Sequence, residues 1–115
     1  QAVKCPASER ESFLRWLDDF EHGKLGLPRP DLVLYLDMPT ERAVELLRRR
    51  EADTHTRGDI HEVDTAYLAA CRESALQAAR LLGWRVIPCV DGAGALRSVE
   101  DIEQEVWSLV EPALD

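Results

Sequence analysis

The sequence predicts an α/β fold built on parallel strands, and three observations predict it. Two short apolar, β-prone runs, Leu32–Leu36 and Trp84–Cys89, are bounded by proline or glycine. Each is flanked by segments whose apolar residues recur at helical spacing, so the order reads helix, strand, helix, loop, helix, strand, helix. The first run ends in Asp37 with a helix start directly behind it. That gathers polar groups at the strand's carboxyl end, where open α/β sheets place their ligands. Strands joined through helices are expected to lie parallel with a right-handed crossover. A parallel pair has two faces and two edges to cover, so further strands or another copy are expected to complete it.

The elements follow in order. Ser8 and Glu11 read as a capping box opening the first helix. Phe13, Trp16, Leu17 and Phe20 share a face at helical spacing, expected to pack on the core, and Gly23 is the expected helix stop. The buried strand Leu32–Leu36 comes next, between Pro30 and Pro39. A helix over about 40–50 turns Ala43, Val44, Leu46 and Leu47 inward. Periodicity then stops from Glu51 to Glu62, a polar loop around Gly58. The helix over about 62–82 lines one face with Tyr67, Ala70, Cys71, Ser74, Ala78 and Leu81, and Gly83 ends it. After the second strand, Gly92 and Gly94 make a permissive loop. Ser98 caps a last helix with an inward stripe of Ile102, Val106, Leu109 and Val110.

A chain of 115 residues, 45% hydrophobic and 31% charged, is expected to form at most one domain of a soluble protein. A net charge of −8 argues against a nucleic-acid backbone as partner, while leaving room for a small phosphate ligand held by a few local arginines. No apolar run approaches membrane-spanning length, and no signal peptide is expected from the opening residues. Cys5, Cys71 and Cys89 are odd in number and lack zinc-type spacing. They are expected as reduced thiols of a cytoplasmic protein, two of them in the core. The first residue is Gln1 rather than Met, as in a fragment or a processed product.

The densest run of functional groups is Arg48 to Glu62. Arg48, Arg49 and Arg50 either complement the helix dipole on a solvated face or reach phosphate oxygens. Arg57, in a glycine-containing loop, suits stabilisation of charge on a transferred phosphoryl group. Asp59 and Asp64 read as capping residues at a helix start. Glu62 suits either that role or orienting a sugar hydroxyl or a loop arginine. Asp37 is either a turn residue or part of a site. A calcium loop over 53–64 fails because His55 and Arg57 stand where oxygen ligands are required. A zinc site at His55 and His61 fails on spacing. No nucleophile elbow, activated cysteine or P-loop is present.

Taken together, the segments resemble one family. Pro-Arg-Pro-Asp-Leu-Val-Leu-Tyr-Leu-Asp-Met-Pro-Thr-Glu-Arg-Ala (28–43) resembles the late core strand and following helix of thymidylate kinases. Arg-Gly-Asp-Ile-His-Glu-Val-Asp-Thr-Ala-Tyr-Leu (57–68) resembles their lid and the helix after it. Gly-Trp-Arg-Val-Ile-Pro-Cys (83–89), followed by Leu-Arg-Ser-Val-Glu-Asp-Ile, resembles the last strand, adenine-side loop and C-terminal helix. The resemblance covers essentially the whole chain, and the order and spacing of the pieces carry it.

It implies a P-loop NTPase or nucleoside monophosphate kinase-like three-layer fold, of which this chain is the C-terminal portion. That portion holds the last two parallel strands, their helices and a lid at about 51–62. The P-loop half is absent. The resemblance further implies phosphorylation of dTMP to dTDP with ATP and Mg²⁺, often by a homodimer. Residue by residue, it implies ATP contacts at Arg48, Arg50, Val90, Asp91 and Gly92, a phosphate-reaching lid arginine at Arg57, and substrate-side positions at Glu62 and Tyr67. Two other readings stay open: another nucleoside monophosphate kinase of the same fold, and a non-catalytic dimerising module.

Overall fold

A computed structural model describes residues 1–54 and 64–114. Two 3-10 turns, Ala2–Lys4 and Ala7–Glu9, lead into α1 (Arg10–Asp18), which loosens into a π-helical turn over Asp19–Lys24. Then come β1 (Leu34–Asp37), α2 (Thr40–Thr54), α3 (Thr65–Leu82), β2 (Arg85–Pro88) and α4 (Val99–Ala113). The mixed helix and strand order is the one expected.

The two strands pair in parallel, Leu34 opposite Arg85 through to Asp37 opposite Pro88. Asp64 caps α3 by accepting the Tyr67 N–H at 2.9 Å, and Ser98 caps α4 by accepting that of Asp101 at 3.1 Å. Gly83 stops α3 at φ +74°, a left-handed conformation that a Cβ disfavours. Gly83→Ala is therefore expected to cost about 1 kcal/mol, read as a lower urea midpoint with unchanged slope.

Several expectations are corrected. Ser8 lies inside the second 3-10 turn, and α1 starts at Arg10 with no side-chain cap at Glu9, so the capping box does not form. Gly23 sits within the π-helical turn, closed by the Leu25 N–H on Phe20 O at 2.8 Å. Gly26, at φ +69°, takes the left-handed position instead. The α1 aromatics do not form the core. Trp16 and Phe20 stack on each other at 5.3 Å in exposed positions, while Leu14 and Arg10 take the buried line and Phe13 packs at its margin. Of the α3 face, Ser74 and Ala78 are buried but Tyr67 is exposed. Leu47 of α2 is exposed too, while Val44 and Thr40 of that helix are buried. Cys89 is the one cysteine in the core. Cys5 and Cys71 are half-buried, and all three are free thiols.

β1 is shifted two residues later than expected at its start, and its Leu36 is 51% exposed rather than buried. Val86 of β2 is likewise exposed, whereas Ile87 is fully buried. A parallel pair normally has both faces covered. The Cα radius of gyration is 16.7 Å, against about 13 Å for a compact domain of this length. The main buried cluster is small, with Ala2, Leu14 and Ala78 at its centre and Phe13, Leu81 and Trp84 around it. Among the described residues, no helix is long and apolar enough to cross a membrane.

Candidate functional site

Polar groups converge at the carboxyl ends of the two strands. Asp37 closes β1, and its carbonyl accepts the Cys89 N–H at 2.9 Å, tying the two strand ends together. Arg72, two turns into α3, forks onto the Asp37 carboxylate. Nε reaches Oδ1 at 2.8 Å and Nη2 reaches Oδ2 at 2.9 Å. The Asp37 side chain is largely buried, and the paired carboxylate raises the pKa of Arg72 further. Beside the pair, burial and then the charge of Asp37 push the Tyr35 phenol up. Burial likewise pushes the Cys89 thiol up, which keeps it a poor nucleophile.

The loop after β2 is a built platform. Val90 and Leu96 bridge antiparallel, the Asp91 N–H donates to Ala95 O at 2.8 Å, and the Arg97 N–H donates to Cys89 O at 2.9 Å. The Asp91 carboxylate folds over the turn, with Oδ1 accepting the N–H groups of Ala93 at 2.8 Å and Ala95 at 3.0 Å. Arg42, on the first turn of α2, donates from Nε at 3.2 Å and Nη2 at 2.9 Å to Gly94 O. At the base, Arg97 donates to Pro88 O at 2.7 Å and binds Asp101 and Glu105, each at 2.7 Å. The loop is thus pinned at its tip by one arginine and at its root by another.

The Arg97–Asp101 contact sets a pH dependence. The guanidinium holds the Asp101 carboxyl below its ordinary value. The folded state therefore binds fewer protons there than the unfolded chain, so this contribution is present above the unfolded pKa and lost as pH falls through the folded one. Asp101→Asn is expected to show a shallower loss of stability than the native chain between about pH 5 and pH 2, measured as the urea midpoint at each pH.

The site residues expected from sequence are only partly brought together. Val90, Asp91 and Gly92 form the loop just described, with the Asp91 side chain engaged in shaping it. Tyr67 is exposed on the first turn of α3, its phenol pKa raised by hydrogen bonding to the Cys71 thiol. Arg48 and Arg50 are exposed on α2, about 9 and 12 Å further along the helix axis than Arg42. Arg57, Glu62 and most of the expected lid lie outside the described residues. Arg72, Arg42 and Arg97 were not expected. Arg72 follows directly on the inward-facing Cys71, and a charged residue at that edge of a buried face was the available signal.

A separate cleft lies at the other end of the strands. A cavity of about 630 Å³, walled by Leu14, Leu17, Val33, Trp84 and Arg85 among others, opens at the amino ends of the strands. Parallel sheets bind at the opposite end, so the Asp37 end is the candidate. Among the described residues, no three histidine, cysteine or carboxylate side chains are grouped to hold a metal. The chain matches no family model, no curated protein and no solved structure.

Proposed function

We propose that this chain is part of a nucleotide phosphotransferase, contributing the last two strands of a larger parallel sheet. Its closest reading within that class is a thymidylate kinase-like enzyme that makes dTDP from dTMP and ATP. One observation carries the sheet completion: a parallel pair whose Leu36 and Val86 stand exposed, in a chain more expanded than its length requires. The choice of chemistry rests on the sequence resemblance and on the pinned loop at the strands' carboxyl ends.

In this reading the 90–94 loop lines the adenine through its backbone, and Arg42 and Arg97 fix its height. Arg48 and Arg50 lead toward the lid, and Arg57 meets the phosphates. Phosphoryl transfer is mostly positioning and charge stabilisation. This chain offers one side of such a site, since no P-loop is in its sequence. The described residues do not suit a protein-held Mg²⁺: Asp37, the carboxylate at the strand end, has both oxygens engaged by Arg72. No step is therefore assigned to a metal held by this chain.

The acceptor panel tests the reading. The protein translated from the complete reading frame is assayed with ATP against dTMP, dUMP, CMP and AMP. Preference for dTMP is expected, and preference for another acceptor moves the protein to a sister kinase. Calorimetry of the 115-residue chain is expected to show only weak nucleotide binding, and a micromolar dTMP titration would contradict the half-site picture.

A further inference from the structure

Arg10 is the least explained charge in the described structure. It is the first residue of α1 and is 7% exposed, on the buried line it shares with Leu14. Its Nε and Nη1 are fully covered and meet no acceptor among the described residues. A buried guanidinium without a partner is strongly unfavourable, and a cation at a helix N-terminus also opposes the dipole. The chain has 22 acidic residues, yet the neighbouring Glu11 is engaged by Arg15 at 3.0 Å and Glu9 is exposed.

The surroundings are specific. Leu14 shares its cluster with Ala78 of α3, and one turn further on Leu17 lines the same cleft as Leu82. The two helices therefore run side by side in the same sense. Arg10 is one turn before Leu14 on α1, and Ser74, also buried at 7% exposure, is one turn before Ala78 on α3. The cover over this layer is the Ala2–Lys4 turn, whose Ala2 belongs to the buried cluster. That turn is three residues long and has no side-chain cap.

We propose that Arg10 is the base of an oxyanion site between α1 and α3, taking a phosphate or carboxylate group with one oxygen on the covered Nε–H and a second on Nη2–H, the edge on which a guanidinium forks. Either group relieves the unpaired charge and the dipole conflict together. The site is separate from the Asp37 end and does not depend on the kinase reading.

The test uses the 115-residue chain with ¹⁵N-labelled arginine. Inorganic phosphate and succinate are titrated separately at constant ionic strength against chloride. At least one is expected to move the Arg10 Nε–H resonance saturably and raise the Tm. Arg10→Met should reduce the affinity at least tenfold while keeping the fold in chloride. A response to phosphate alone identifies a phosphoryl ligand, to succinate alone a carboxylate, and to both a general oxyanion slot. If neither ion moves the resonance, or if Arg10→Met responds like the native chain, the proposal is overturned. Should Arg10→Met fail to fold, the native-chain Nε–H titration decides alone.

Discussion

Ile87→Ala is expected to destabilise the protein by about 3 kcal/mol, lowering Tm by roughly 10 °C. Ile87 is the largest side chain in the described structure that is fully buried, at 0% exposure. It sits centrally in β2 opposite Leu36, where α3 and α4 both approach the strand. Removing its branched side chain loses apolar burial and leaves a cavity that a two-stranded sheet has few neighbours to close. Leu36→Ala, one position across the register but half exposed, is expected to cost well under half as much. Thermal unfolding of both variants checks the pair. Equal losses would mean that Leu36 is as well covered as Ile87, against the exposed-sheet description.

The second large effect is expected at the Asp37–Arg72 pair. Asp37→Ala leaves a partly buried guanidinium without its carboxylate, and Arg72→Met leaves a carboxylate that is mostly covered by protein. Each single change is expected to cost about 2 kcal/mol, less than a fully buried pair because the Arg72 side chain is 35% exposed. Combining Asp37→Ala with Arg72→Met removes both charges, so the double variant should be less destabilised than the sum of the two. A coupling of at least about 1 kcal/mol in the double-mutant cycle is the expected reading. A coupling near zero would show that the fork contributes nothing and that Arg72 serves only as a helix surface residue.

The parts of this fold that were legible in the sequence are those encoded locally. The parallel strand pair followed from two apolar runs separated by helical periods. Gly83 and Ser98 were identifiable as helix ends because a left-handed stop and a side-chain cap depend on one or two neighbouring residues. Ser8 misled for a similar reason: the motif is local, but the preceding Pro6–Ala7 turn runs straight into α1 and leaves no cap position at Ser8. The α1 aromatics were misplaced because spacing identifies a shared face without saying what covers it. Trp16 and Phe20 share a face and stack, yet remain exposed.

The candidate site was less legible. Two of its arginine contacts are long-range, Arg72 to Asp37 across 35 residues and Arg42 to Gly94 across 52. No periodicity reports such pairings. Asp37 itself was visible, because strand order alone put it at the binding end of the sheet. The 90–94 loop was visible as permissive, but not as a platform closed by its own Asp91 and held from outside by Arg42 and Arg97. Arg10 was hidden within an amphipathic helix where a basic residue is ordinarily solvated.

The central claim is that these residues supply one side of a phosphoryl-transfer site and complete a larger parallel sheet. Its most direct test is dTDP formation from ATP, dTMP and Mg²⁺, comparing the 115-residue chain with the protein translated from the complete reading frame. Turnover by the longer protein and none by the shorter chain is the result expected. Turnover by the 115 residues alone, or none by either protein, would contradict it.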